Sequence, residues 1–268
     1  MGYPYITFAD KSSLDFGLIL GTLEEDSFES VSGADNDWIT GETAWDPCKI
    51  VYGVKQNGAV SFSLTLVSED VIPFTAMCEI QQWLFNHDKP QKLRIIDGDR
   101  NDYYYLCILK HDVILRDARG RCGIRFEAES ISPYAYKDPV TLSYTLGSQK
   151  NFTVDIDTCE LYGARPTVVL RQATLPSANS HIYLKNITTG CMMDISQVAG
   201  TSMAVDCAKG VITGAGNEAI VSLTAPASDP DMVMGFLTLA NGRNELSASS
   251  NTSQVTITYT PAKMIGGI

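Results

Sequence analysis

The sequence predicts a mainly β protein in two domains, the first of them carrying one α-helix. Three observations predict it. Runs in the first half alternate polar and apolar residues with the period of a half-buried strand. One stretch between them has a helical period. The second half is a succession of short β-rich runs cut by Gly, Asn, Ser and Pro. At 268 residues the chain also exceeds the usual domain size of about 100–150 residues, and with 44% apolar residues it can fill two cores.

The strands of the first half are read from Ser61-Phe62-Ser63-Leu64-Thr65-Leu66-Val67 and from Gly123-Ile124-Arg125-Phe126-Glu127-Ala128-Glu129, where every second side chain is apolar. The helix begins at Pro73, whose fixed φ suits a first helical position. It carries an apolar stripe of Phe74, Met77, Cys78 and Leu84, and ends at Asn86 to Pro90. Lys92–Ile96 and Tyr103–Leu109 flank the polar stretch Asp97–Asp102 and read as a hairpin; a second hairpin closes over Arg116–Arg121. Two prolines in Ser132–Pro139 end the sheet and mark the junction. Beyond it, Thr167–Leu170, His181–Leu184 and Gln254–Tyr259 are among many short strands, which points to an antiparallel sandwich or jelly roll. Tyr162, Tyr183 and Phe236 are read as core residues of that sandwich.

Charge and composition exclude several functions. A net charge of −11 offers no basic face for gripping phosphates. No apolar run approaches the roughly 18 residues of a spanning helix, so no membrane partner is expected. The N-terminus lacks the basic-then-apolar pattern of a secretory signal, and the chain is expected to fold in the reducing compartment where it is made. Seven cysteines, widely spaced and without C-x-x-C, fit free buried thiols. Asn151, Asn186 and Asn251 each open an N-x-S/T triplet and are read as polar loop residues.

Catalytic and cofactor motifs fail on inspection. Gly200-Thr201-Ser202-Met203-Ala204 matches the residues around a protease serine, but a serine nucleophile needs a base and an orienting carboxylate. His181, His87 and His111 do not stand in the contexts that supply them. Asp97-x-Asp99-x-Asn101 opens like a calcium loop, yet Asp102 takes the glycine position and Ile108 the bidentate glutamate position. No phosphate-cradling glycine loop occurs, and neither a cofactor nor a metal is expected.

The order of five segments resembles one family, the distal tail proteins of long, non-contractile-tailed phages. They are Phe8-Ala9-Asp10-Lys11-Ser12-Ser13-Leu14-Asp15-Phe16-Gly17-Leu18, the helix Glu79-Ile80-Gln81-Gln82-Trp83-Leu84, the hairpin with Tyr103-Tyr104-Tyr105, the junction Pro133-Tyr134-Ala135-Tyr136, and Leu239-Ala240-Asn241-Gly242-Arg243-Asn244-Glu245-Leu246. The resemblance implies a first domain, residues 1–137, related to tail-tube subunits: a β-sandwich or split barrel with one helix that builds a hexameric ring. It implies a galectin-like sandwich for residues 138–268. It further implies a non-enzymatic hub of the tail tip or baseplate, assembled in the host cytoplasm. The hub joins the tail-tube protein to tail-tip and receptor-binding proteins, while DNA passes without specific binding. Two other readings stay open, a carbohydrate-binding adhesion module and a tail-tube subunit. Against the first, the second domain has no tryptophan and lacks the sugar-binding strings of true galectins.

Candidate interface residues follow from the same picture. The stretch Asn36–Gly58 sets Trp38, Trp45 and Tyr52 among polar residues and reads as an extended arm toward a neighbour. Arg119 and Arg121, at a hairpin tip, are candidates for an acidic partner. Ten acids face Lys11 alone in the first 47 residues, and those between 24 and 46 are expected to line a channel where like charge keeps DNA from sticking.

Overall fold

A computed structural model describes residues 3–21, 35–43, 46–57, 60–98, 101–116, 120, 122–174, 181–195, 200–214 and 232–264. The chain divides into two units, Met1–Lys137 with Met264, and Asp138–Lys263. Each unit has its own apolar cluster.

The first unit is built on an open seven-stranded antiparallel sheet. Its order is Lys11–Ser12, Tyr5–Phe8, Gln91–Ile96, Tyr105–Arg116, Cys122–Ser130, Ser61–Val67, Ile19–Leu20. The sheet keeps two edges and does not close into a barrel. Period-two alternation sets its register, because directly opposed residues share a face: Phe62 faces Ala128, Leu64 faces Phe126 and Leu66 faces Ile124, all buried. The opposite face carries Ser63, Thr65, Arg125, Glu127 and Glu129, with Lys110 paired to Glu129. Both hairpins expected from the sequence are present, Gln91–Ile96 with Tyr105–Arg116 and Tyr105–Arg116 with Cys122–Ser130.

The helix, Phe74–Phe85, covers the apolar face, with the Phe85 and Phe126 rings edge-on at 6.3 Å. Pro73 is its N-cap and Asn86 its C-cap. The buried stripe is Met77, Ile80, Trp83 and Leu84; Phe74, 80% exposed, and Cys78, also exposed, lie off it, contrary to the expected stripe. Trp83 stacks on Phe16 at 5.0 Å, and its indole N–H donates to the Phe8 carbonyl at 2.8 Å. That carbonyl precedes a two-residue turn in which Ala9 and Asp10 both have positive φ, 49° and 62°, as the twist of a tight hairpin demands.

The second unit is a two-sheet sandwich. One sheet runs Val140–Thr145, Thr252–Tyr259, Thr167–Gln172, Ser202–Asp206, Val211–Thr213; the other runs Asn151–Ile156, Gly242–Ala248, Ile182–Asn186, Cys191–Ile195, Val233–Met234. Val168, Leu170, Met203, Val205, Val255 and Ile257 from the first sheet share one buried cluster with Val154, Leu184, Met193 and Leu246 from the second. Phe236 packs on this core and Tyr183 is half-buried, but Tyr162 is 73% exposed and is not a core residue, because it sits in the turn that precedes the Ala164–Leu239 bridge.

Asn186 is not a polar loop residue. It is fully buried at the end of its strand, where its side-chain amide donates to Thr238 O at 2.8 Å and to Asn244 Oδ1 at 2.9 Å, while its Oδ1 accepts from the backbone N–H groups of Thr188 and Thr189. Asn244, equally buried, accepts from Ala240 N–H and donates to the carbonyls of Ala240 and Gly242. Every donor and acceptor of the pair is used, which is what allows two amides to sit beside an apolar core.

The described cysteines are free thiols. Cys107, Cys122, Cys191 and Cys207 are buried as expected, whereas Cys78 and Cys159 are exposed; the Cys48 side chain lies outside the described residues. Burial pushes the Cys107 and Cys207 thiols up to about 12, so both are protonated and unreactive at neutral pH. A maleimide reagent is expected to label peptides containing Cys78 and Cys159 in the folded chain, and those with Cys107 and Cys207 only after denaturation; mass mapping of the labelled peptides checks this.

Candidate subunit interface

Strands Asp35–Thr43 and Asp46–Asn57 pair only with each other, forming an antiparallel ribbon separate from the seven-stranded sheet. Among the described residues neither strand makes a substantial contact with any other element. A lone two-stranded ribbon is marginally stable in water, and its apolar side chains gain nothing from solvent. Yet Trp38, Ile39, Ile50, Val51 and Tyr52 are all exposed, Trp38 by 64% and Tyr52 by 69%. Because consecutive strand residues point to opposite faces, these side chains put apolar surface on both faces of the ribbon, and exposed apolar surface of this kind marks an interaction site.

The ribbon's geometry is specified locally. Ile39 pairs with Gly53 and Thr40 with Val51, so Tyr52 is the extra residue of a β-bulge. Its ring lies across Gly41: a Cβ there would meet Tyr52 Cε2 at 2.6 Å. Glycine at 41 thus seats the Tyr52 ring flat against the ribbon.

The main sheet adds unpaired backbone. Gln91–Ile96 pairs with Tyr105–Arg116 only at Tyr105–Cys107, which leaves the same side of Ile108–Arg116 without a strand partner among the described residues. On the far side, Ile19–Leu20 covers only Leu66 and Val67 of Ser61–Val67. Ile108, Val113 and Ile114 are also exposed on the long strand. Spacing alone gives no warning of this surface, since Tyr103–Leu109 reads only as one arm of a hairpin; how far the neighbouring strand extends decides it.

Trp38 and Tyr52 both lie on the ribbon and are exposed. Trp45, Arg119 and Arg121 lie outside the described residues, as do Glu24, Glu25, Asp26 and Glu29 and the side chains of Asp35, Glu42 and Asp46. Ser202 opens a strand of one sheet of the sandwich, paired with Arg171, while His181 precedes a strand of the other, its Nδ1 3.3 Å from Asp194 Oδ2. No cluster of three metal-ligating side chains occurs among the described residues.

Comparison with known proteins converges on one group. Residues 3–132 match the model of a phage tail protein N-terminal domain. Residues 162–262 match that of the siphovirus-type tail component, C-terminal domain. No curated protein sequence matches the chain. Among solved structures, the SPP1 Dit protein, described as a paradigm of hub adsorption apparatus in phages infecting Gram-positive bacteria, superimposes with a TM-score of 0.68. The alignment covers 98% of this chain and 100% of that one at 11% identity, a likeness of fold. With one model on each unit, and with the order of segments seen in the sequence, the chain belongs to the distal tail family of siphovirus-type phage tail components.

Proposed function

We propose that this chain is the structural hub of the tail tip: a homo-hexameric ring in the virion that joins the tail-tube protein to tail-tip and receptor-binding proteins, without catalysing a reaction. DNA passes through the ring without specific binding, and the chain is assembled in the host cytoplasm. The ribbon carries the reading. Five large apolar side chains, exposed on an element that makes no substantial contact with another described element, are stabilised once another subunit covers them. The sheet's unpaired strand segments supply hydrogen-bonding groups of the kind that pair between copies. Ribbon and sheet edge are different surfaces, so their contact is heterologous, and such contacts close into rings when the rotation allows.

The ribbon double variant Trp38→Asp/Tyr52→Asp tests this. Native chain is expected to give six-fold rings by negative-stain microscopy, and the variant a folded monomer with unchanged far-UV circular dichroism and at least a tenfold lower assembled fraction. A native particle in which the ribbons are bathed in solvent would sink the proposal, and stacked tubes of the purified chain would favour a tube subunit.

A further inference from the structure

The turn that enters the strand Gly242–Ala248 carries the dipeptide Asn241-Gly242. Glycine has no Cβ to keep its peptide nitrogen away from the side-chain carbon of a preceding asparagine, so this pair is chemically reactive. Both residues are exposed, and water reaches them. Gly242 has a φ of 82°, and no atom lies within 4 Å of where a Cβ would stand, so nothing crowds the turn. It is also the terminal rung of its ladder, opposite Ile156, and opening that rung alone frees its nitrogen. The Asn241 side chain is polarised for attack. Its Oδ1 accepts from the backbone N–H of Thr158 at 3.2 Å, and Thr158 is 1% exposed, so the donor is fixed and shielded. A fixed donor of this kind stabilises the negative charge that grows on a carbonyl oxygen when its carbon is attacked. Among the described residues the Asn241 amide nitrogen, which would depart, has no hydrogen-bond partner.

We propose that Asn241 is a self-modification site at which the peptide nitrogen of Gly242 attacks Asn241 Cγ in the folded chain, and that the second unit ages through this turn. The N–Cγ bond forms, the Gly242 N–H proton passes through water to the departing nitrogen, the Cγ–Nδ2 bond breaks, and ammonia leaves a cyclic succinimide. Water then adds to either succinimide carbonyl and gives aspartate or isoaspartate, with no change of oxidation state. The two products differ in consequence. Aspartate keeps the main chain as it is and still offers an oxygen to Thr158 N–H. Isoaspartate routes the main chain through the former side chain and lengthens it between Ala240 and Gly242. Those two residues hold the buried Asn244: Ala240 N–H donates to its Oδ1 at 2.9 Å, and its amide donates to Ala240 O at 2.8 Å and Gly242 O at 3.0 Å. Displacing them breaks this set and strains the Asn186–Asn244 bond behind it, where unpaired buried donors are costly.

The test incubates the purified full chain at neutral pH in heavy-oxygen water, beside a synthetic peptide of residues 239–245, and maps oxygen incorporation and isoaspartate by mass spectrometry. Peptide mapping separates Asn241 from Asn57-Gly58, the other Asn-Gly step in the sequence. The folded chain is expected to convert Asn241 at least as fast as the peptide, because the fixed Thr158 donor offsets the freedom lost on folding. Slower conversion in the folded chain overturns the proposal, since the fold would then protect the turn. The aged chain is next resolved into its aspartate and isoaspartate forms, and each is unfolded in urea under circular dichroism. The aspartate form and the variant Asn241→Asp are expected to keep the native midpoint, and the isoaspartate form to unfold at lower urea. An isoaspartate form with the native midpoint overturns the link to Asn244.

Discussion

Replacing Asn244 by leucine is expected to destabilise the second unit by about 2–4 kcal/mol, although the side chains have similar volume and the site is buried. The variant orphans the N–H of Ala240 and one of the two amide hydrogens of Asn186, which Asn244 Oδ1 now accepts. Each buried donor left unpaired costs about 1–3 kcal/mol. The freed carbonyl of Gly242 sits at an exposed position and can turn to water. Asn244→Asp is expected to be no milder at neutral pH, because a carboxylate oxygen would stand where the amide now donates, at 2.8 Å from Ala240 O and 3.0 Å from Gly242 O. That charge is penalised in the folded state, so its carboxyl titrates above the ordinary range there. The destabilisation is full at neutral pH and shrinks as pH falls through that raised value. All three tryptophans, Trp38, Trp45 and Trp83, lie in the first unit. Urea unfolding followed by circular dichroism should therefore show the early loss while tryptophan fluorescence keeps its midpoint. Coincident shifts in both signals would refute independent cores.

Trp83→Ala should strike the first unit by about 3–5 kcal/mol, the range for emptying a buried aromatic site. Trp83 is 5% exposed and joins three things at once: the helix that carries it, the 3₁₀ turn through its stack on Phe16, and the first strand through its bond to Phe8 O. Trp83→Phe keeps most of the ring packing but removes the donor, and is expected to cost about 1–3 kcal/mol. The difference between the two variants separates packing from the hydrogen bond, read from the first unit's calorimetric transition. Equal losses would mean that the indole N–H, and not the ring's bulk, dominates.

The helix illustrates how far periodicity reaches. Phe74, Met77 and Cys78 form one apolar arc and Ile80, Trp83 and Leu84 another, and the two arcs overlap. A 3.6-residue period finds the helix and both arcs, but not which arc the sheet covers. Trp83, stacked on Phe16 and donating to Phe8 O, fixes the rotation, and Phe74 on the other side is left in solvent at the helix's first turn. The strands were more legible, because a period of two allows two faces only, and burying Phe62, Leu64 and Leu66 leaves no second choice. The arm was half legible: the aromatic residues among polar neighbours suggested an extended contact segment, but the bulge at Tyr52 and the ring seated on Gly41 depend on cross-strand register.

By itself the sequence determined that this chain is mainly β with one helix, because alternation and turn residues act over a few positions and leave their mark there. It also carried the segment order that resembles the tail family. Only the tertiary structure decided that the ribbon stands apart from the sheet, that Ile108–Arg116 outruns its neighbour, and that Asn186 and Asn244 satisfy each other across 58 residues of chain. Each of those depends on which distant backbone or side chain fills a given hydrogen bond. Pairing at such separations is chosen by the sum of packing over the whole sheet, which no local spacing encodes.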